Sequence, residues 1–424
     1  MHVTAIDQLD LSGNLTEFMI SWHGAPAATN LPVTFNQGNH LRSQRNGGGA
    51  WLAGTVTLAD PNPDPARVCE AVLAVLRRHD ALRACFEVPD SPRQSVYAAT
   101  QVSVRPRMVG RVWHSFLTAL LNERCRAGDI PGLFFGLLEG TLICAFDHAH
   151  ADALTIDLIL REVSSLYADP DCDLPETADF ATRCEQEAAG SSVLRPRDLA
   201  RDLAGIQIWR QFFAATDNTL PTFPIGLGGT AVTRTVVTPL LDAEQSDNLL
   251  PARTFAYLLA ALAGAVADVG GPRRLHTLIP VHTRGPRDSG WHSTAGWMVS
   301  NAPVIVAADE PHSAEPWLAH AAELAELPLP EVLAELQPAF VTAGIFMVSY
   351  LDYRKLGPAL PGAQHISAVT HTDTAQLWFT RSAAGLELRV RYPANPEADA
   401  VIISILAGLT ARLHADRRWS RSAS

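Results

Sequence analysis

The chain has almost no lysine. Lys355 is the single lysine among 424 residues, so arginine supplies nearly all of the positive charge. Schiff-base catalysis needs a lysine amine, and we interpret Lys355 as a surface loop residue instead. The formal net charge is −11, which disfavours nucleic acid as the main partner because nucleic-acid surfaces attract basic proteins.

Cysteine and long apolar runs are also scarce. The six cysteines are scattered through the first half without CxxC spacing, so we predict no metal site and a reducing, cytoplasmic setting. The N-terminus lacks the basic and apolar stretches of a signal peptide. The longest apolar run, residues 255–267, is too short to cross a bilayer, and we expect no membrane partner.

What the chain does have is enough apolar residues, 47% of the total, for two domains or lobes. Asp64-Pro65 predicts a helix start by N-capping, and this helix is expected to end near His79. Residues 133–138 and 141–146 predict a hairpin joined by Glu139-Gly140. A strand is predicted at 82–86 and an amphipathic helix after Asp152.

The polar stretch 169–192 is the best candidate linker. It predicts an N-terminal lobe at 1–180 and a C-terminal lobe at 181–424. Further helices are expected near 199–215, 253–269 and 398–413, with strands at 275–281, 303–307, 344–350, 376–380 and 386–392. Helices mixed with strands in both halves indicate an α/β (α+β) fold.

The segment around His148 is the most informative. His148 follows an apolar strand, Asp152 lies four residues later, and a helix begins directly afterwards. A histidine held this way can act as a general base, because its ordinary pKa lies near working pH. The alternative is a buried structural histidine, since an isolated HxxxD pattern often arises by chance. His150 is interpreted as a bystander.

Three other segments accompany this loop. They are RHDALRACF at residues 78–86, IPVHTRG at 279–285 and GWMVSNAPV at 296–304. In sequence and order, the four segments resemble motifs of the condensation domains of nonribosomal peptide synthetases. Their spacing covers nearly the whole chain and leaves no adenylation, carrier or thioesterase region. The resemblance predicts a free-standing condensation enzyme of natural-product or antibiotic biosynthesis.

The resemblance implies two chloramphenicol-acetyltransferase-like lobes in a V, with a tunnel between them and the His148 loop midway. It implies an acyl donor on the phosphopantetheine arm of an acyl or peptidyl carrier protein, with CoA as the alternative carrier. The acceptor would be a small-molecule amine or alcohol, and no bound cofactor is expected.

The match to the HHxxxDG motif of this family is incomplete. Asp147 stands at the first histidine and Ala153 at the glycine, so the added methyl group would narrow the acceptor channel. Asp147 with Asp152 also fits the DxxxxD spacing of the heterocyclisation branch, although that branch lacks the second histidine. Modified condensation chemistry and an inactive module that recruits carrier proteins therefore remain alternatives.

The roles of the two aspartates stay open in the sequence. Asp147 could raise the pKa of His148 if the side chains meet, or it could only hydrogen-bond the loop. For Asp152 the resemblance implies a salt bridge to Arg284, while N-capping of the next helix is the alternative. Candidate tunnel residues by motif position, with core packing as the alternative for the aromatic residues and methionine, are Ala153, Thr155, Trp297, Met298, Ser300, Asn301, Ser349 and Tyr350. Ser300 or Ser349 could donate to a developing oxyanion.

Overall fold

The computed structural model describes residues 2–44, 50–88, 91–128, 131–190, 198–248, 253–339 and 344–415. The strands are β1 His2–Ala5, β2 Gly13–Trp22, β3 Ala28–Leu31, β4 Trp51–Thr57, β5 Ala84–Glu87, β6 Arg93–Val96, β7 Val102–Val112, β8 Leu133–Leu138, β9 Thr141–Asp147, β10 Ala231–Leu241, β11 Arg274–His282, β12 Val299–Ala307, β13 Val348–Asp352, β14 Gln364–Ser367, β15 His371–Thr372, β16 Gln376–Ser382 and β17 Gly385–Pro393. The helices are α1 Phe35–Gln44, α2 Pro65–Arg78, α3 His114–Arg124, α4 Ala153–Ala168, α5 Phe180–Ala188, α6 Leu199–Ala215, α7 Ala243–Asp247, α8 Thr254–Asp268, α9 Glu315–Ala325, α10 Leu329–Leu336 and α11 Pro396–Ala415.

The chain forms two compact units, each built from several segments. The first comprises Met1–Pro196, Arg284–Val299 and Pro358–Thr370, and the second comprises Arg197–Thr283, Ser300–Gly357 and His371–Ser424. The sequence prediction placed one boundary after residue 180. In the structure, two later segments return to the first unit, and one of them carries Arg284 and Trp297.

The first unit is organised around a seven-stranded sheet in the order β1-β14-β4-β9-β8-β2-β7. The β1–β14 pair is parallel, and the pairs from β14 to β7 are antiparallel. One face packs apolar residues of α2 and α4, including Val72 and Ile159, while Leu117 and Leu121 of α3 cover the other. A smaller sheet has the order β3-β6-β5.

Local sequence explains the elements that lead to His148. Strands β8 and β9 pair in register from Leu133↔Phe146 to Leu138↔Thr141. The turn between them has positive φ at both Glu139 and Gly140, which matches the right-handed twist of a two-residue hairpin. This confirms the predicted hairpin and places β9 in the middle of the sheet.

The second unit has a five-stranded sheet in the order β13-β16-β17-β10-β15 and a two-stranded sheet of β11 and β12. The β13–β16 pair is parallel and the other pairs of the larger sheet are antiparallel. The mixed α/β class is confirmed in both units. Helix α11 is apolar and long enough to cross a membrane, but its buried residues, such as Ile402 and Leu409, recur on one face in the pattern of a helix packed on a protein core.

Three predicted segments differ from the structure. Residues 80–83 form a 3₁₀ turn, so the strand begins only at Ala84. The predicted linker contains α5, whose first amides are bound by the buried carboxylate of Asp80. Of the predicted strand 344–350, the described residues before Val348 lie outside β13. In the second case, contacts made by Asp80 override the local polar composition.

Candidate active site

Main-chain hydrogen bonds fix the loop that carries His148. Strand β9 ends at Asp147, whose amide donates to the Gly132 carbonyl at 3.0 Å. The His148 amide donates to the Ala50 carbonyl at 3.1 Å, just before β4. The His150 amide then turns back to the Asp147 carbonyl at 2.9 Å. The backbone of His148 is thus held by two neighbouring strand ends.

A buried ion pair holds the far end of the loop. The Arg284 guanidinium makes two hydrogen bonds to the Asp152 carboxylate, at 2.6 and 3.0 Å. The same carboxylate caps α4 by accepting from the Thr155 amide at 2.8 Å, and it accepts from the Met298 amide at 3.0 Å. Burial would raise the pKa of Asp152, but Arg284 and these amides outweigh it and hold the pKa below its ordinary value. Both contacts that the sequence left as alternatives are therefore present.

The ion pair also orders the segment that precedes Trp297. Arg284 donates to the Gly296 carbonyl at 3.2 Å, and the Thr155 hydroxyl donates to the same carbonyl at 2.8 Å. Gly296 has a φ of 148°, and a Cβ there would lie 2.4 Å from Phe180. Only glycine fits this position. Trp297 follows directly, so its indole is placed by the same contacts that hold Asp152.

Two aromatic rings lie against His148. Its imidazole stacks on the Trp297 indole with a centroid separation of 3.8 Å and an interplanar angle of 21°. The His40 ring lies 5.8 Å from both rings. His148 is partly exposed as a residue, and the Trp297 indole covers one face of its imidazole.

The surroundings of His148 favour its neutral form. Burial and the neighbouring His40 lower its pKa to about 4, against smaller opposing effects from its own main chain, Asp147 and Asp152. Its Nδ1 atom is buried and, among the residues that the structure describes, has no hydrogen-bond partner outside its own residue. A neutral imidazole can accept a proton at neutral pH, which is the first requirement for a general base.

The carboxylate of Asp147 binds side chains of α1. Its fully buried carboxylate accepts from His40 Nε2 at 2.8 Å and from the Gln44 side-chain amide. It also accepts from the amides of Ala127 and Ala149, both at 2.9 Å. Burial would raise the pKa of Asp147, but the hydrogen bond and charge of His40 keep it below its ordinary value. The hydrogen-bonding interpretation of Asp147 thus describes its contacts. Its charge acts to raise the pKa of His148, but burial and His40 outweigh this effect.

His40 and Gln44 lie outside all four sequence motifs. They lie on α1, about a hundred residues before the loop, in a helix with little apolar patterning. The available signal was the change at position 147, because a carboxylate in place of a histidine needs a new donor when it is buried. His150 is a core histidine, bonded through Nδ1 to the Ala81 carbonyl at 2.8 Å and fully enclosed.

The RHDALRACF segment supports the site from behind. His79 Nε2 pairs with the buried Glu162 of α4 at 2.7 Å, and its Nδ1 faces the Ala295 amide at 3.3 Å. Arg83 donates to the Tyr97 and Leu76 carbonyls at 2.8 Å. The segment therefore connects α4 to the residues that precede Trp297, and its contacts are structural.

The candidate tunnel residues fall into different environments. Thr155 and Met298 are fully buried in the first unit, and a channel-lining role for their side chains stays a prediction. Ala153 and Trp297 are partly exposed beside the loop. Ser300 and Asn301 lie on β12 of the second unit, and Ser349 and Tyr350 lie on β13, where Tyr350 stacks on Phe255 at 5.5 Å. Within the described residues, no group of histidine, cysteine and acidic side chains is suited to a metal ion.

Known proteins resemble this chain in sequence and fold at low sequence identity. No family model matches the chain. It is 23% identical over 423 residues to 2'-acyl-2-O-sulfo-trehalose (hydroxy)phthioceranyltransferase PapA1 of Mycobacterium tuberculosis, covering 89% of this chain and 78% of that protein. Similar solved structures include PapA2 acyl transferase, with a TM-score of 0.82 and 18% identity over 98% of this chain and 99% of that one.

A condensation domain has the same fold. The starter condensation domain of rhizomide synthetase RzmA, crystallised as a mutant with C8-CoA, matches with a TM-score of 0.67 and 13% identity, covering 93% of this chain and 96% of that one. The predicted condensation-type fold is therefore confirmed. The prediction of an acyltransferase is confirmed through relatives that carry that name. These relatives support acyl transfer in lipid or natural-product biosynthesis.

Proposed function

We propose that this chain transfers an acyl group from a phosphopantetheine thioester to a hydroxyl or amine of a small acceptor, with His148 as general base. The observation that carries the proposal is the neutral imidazole of His148, a partly exposed residue held between fixed strand ends and stacked on Trp297. Contacts of this kind fix the orientation of a catalytic group before the substrate arrives.

The donor and acceptor classes are suggested by the similar proteins. The condensation domain with C8-CoA supports a pantetheine thioester as donor. The name of PapA1 describes acylation of a sulfated sugar, which favours an alcohol acceptor and an ester product here. The pantetheine of the proposed donor belongs either to a carrier protein or to CoA. The assay below distinguishes these two donors.

The proposed chemistry needs no covalent enzyme intermediate. With the proton of His148 on Nδ1, beside its own main-chain carbonyl, Nε2 would accept the proton of the acceptor hydroxyl as the oxygen attacks the thioester carbon. The tetrahedral intermediate then expels the thiolate, which receives the proton from Nε2. A pKa of about 4 makes the ring a weak base, so positioning of both substrates must supply much of the rate.

The assay uses two matched donors. Octanoyl-CoA and an octanoylated carrier protein are each offered with a sugar alcohol or an amino-acid amine, and released thiol and product mass are measured. The proposal predicts acceptor-dependent thiol release with at least one of the two donors. It also predicts a product with the mass of the acceptor in which one hydrogen is replaced by the octanoyl group. An inactive recruitment module would bind the carrier protein and give no product with any pair.

Asp147 gives a prediction that separates the main proposal from heterocyclisation. Asp147→Asn should keep turnover within about tenfold of the parent, while unfolding is easier by about 1–3 kcal/mol because two buried donors lose their acceptor. The measurements are turnover and urea unfolding, with Asp268→Asn as the exposed control. Loss of turnover in Asp147→Asn with a milder effect of His148→Ala would favour chemistry by Asp147 instead.

A further inference from the structure

An arginine on the sheet of the second unit lacks a negatively charged partner. Arg391 lies on β17 and is only partly exposed. It donates to the Gln376 side-chain carbonyl, and its Nε atom is buried without a hydrogen-bond partner. Across the described ranges, no carboxylate pairs with it. Burial alone lowers the pKa of Arg391 to about 10. Enclosed guanidinium groups are normally paired with anions, because removing the charge from water is costly.

A second arginine and a tryptophan share this face. Residues 389 and 391 alternate along β17, so both side chains point to the same side of the sheet. The neighbouring strand presents Trp378, which pairs with Arg389 in register. The two guanidinium carbons lie 4.8 Å (Arg389) and 5.7 Å (Arg391) from the indole centroid. The indole thus packs against both cations and limits their motion.

The acidic residue on the same face of β17 does not lie opposite Arg391. Glu387 is on the same face of β17, four residues away and beyond Arg389. The residues opposite Arg391 on the flanking strands are Gln376 and Thr235, both uncharged. The positions directly opposite Arg391 therefore supply no negative charge to its guanidinium, although the whole chain is acidic at −11.

We propose that Arg391, with Arg389 and Trp378, forms a binding site for a tetrahedral oxyanion, a sulfate or phosphate ester group. A guanidinium presents parallel N–H donors to two oxygens. A carboxylate is satisfied by one such fork, whereas a tetrahedral group has further oxygens for the second arginine. The arrangement of two guanidinium groups around one indole therefore fits a sulfate or phosphate ester better than a carboxylate.

Binding is tested directly, without turnover. Sodium sulfate is titrated into the full-length protein by calorimetry at constant ionic strength, with sodium chloride as the reference salt. Saturable sulfate binding is expected, with a dissociation constant of the order of 1 mM, and Arg391→Gln should weaken it at least tenfold. Arg391→Lys keeps the charge without the fork and should bind between the two.

The matched control is Arg234→Gln. This arginine is on the neighbouring strand, opposite Tyr392 in register, and pairs with Asp399 on the other face. It should bind sulfate like the parent. If Arg391→Gln does not fold, the comparison of parent with Arg391→Lys decides. The absence of saturable sulfate binding in the parent, or equal binding by parent and Arg391 variants, would overturn the site.

Kinetic measurements distinguish an oxyanion that belongs to the acyl donor from one that belongs to the acceptor. Only this experiment rests on the proposed function. If the group belongs to the donor, Arg391→Lys should raise KM for octanoyl-CoA and leave KM for octanoyl-pantetheine, which has no phosphate, unchanged. If it belongs to the acceptor, KM should rise for a sugar sulfate and stay constant for the neutral sugar. An unchanged KM for all four substrates would contradict a substrate-binding role, while failure of the His148 proposal would leave sulfate binding unaffected.

Discussion

Replacing His148 by alanine is expected to lower turnover by about 10²–10⁴-fold, the usual contribution of a positioned general base. The loss should appear in kcat, because the imidazole acts on the acceptor proton in the transition state. The measurement is steady-state thiol release with octanoyl-CoA and the best acceptor. KM for the donor should change little, since His148 contributes no charge to donor binding in the neutral state.

The control for this variant is His312→Ala, an exposed histidine with 76% of its side chain accessible. It should keep parental turnover. His148→Gln is a second comparison, because its amide preserves part of the volume beside Trp297 but cannot accept the acceptor's proton as a base. Turnover near the parental level in both His148 variants would remove the proposed role, and the remaining rate would then be due to substrate positioning alone.

The second large effect concerns stability. Arg284→Gln is expected to destabilise the first unit by about 3–5 kcal/mol, because it leaves the buried Asp152 carboxylate without its cation. Arg284 is 1% exposed and Asp152 is 4% exposed. Chemical denaturation of the full chain measures this effect. Turnover should fall as well, since the same guanidinium fixes the carbonyl before Trp297.

The pH dependence of this effect has a defined sign. The pKa of Asp152 is lowered in the folded state, so its stabilisation is present above the ordinary aspartate pKa and is lost as pH falls through the folded pKa. The gap between parent and Arg284→Gln should therefore be constant near neutral pH and shrink in acid. Arg210→Gln, an exposed pair with Glu335, should cost at most about 1 kcal/mol. A similar loss of folding free energy in both variants would contradict a stabilising role for the buried Arg284–Asp152 ion pair.

Much of the fold around the loop followed from local sequence. The cap at Asp64, the Glu139-Gly140 turn and the apolar face of α4 are set by neighbouring residues, so their patterns predict the elements found. The prediction of a linker at 169–192 did not anticipate α5, because the first amide of this helix is bound by Asp80, a residue a hundred positions away. Composition measures local preference and contains no information about such a distant cap.

The sequence motifs also predict part of the candidate site. The motifs identified His148, Asp152 and Arg284, and the last two meet in the structure. The motif position of Met298 indicates a channel, which stays a prediction, and its side chain packs with Phe180 and Cys184 in the interior. The partner of Asp147 was not predicted, because His40 has no fixed spacing to the loop. Pairings between distant elements depend on tertiary packing, which periodicity does not specify.

The central claim is tested most directly by the pH dependence of kcat/KM, which reports groups of the free enzyme. With the pKa of His148 lowered to about 4, kcat/KM should be constant across neutral pH and fall with unit slope only as pH drops through about 4, provided that circular dichroism shows the fold intact. A midpoint near 6.5, the ordinary histidine value, or a profile unchanged in His148→Gln, would contradict the account.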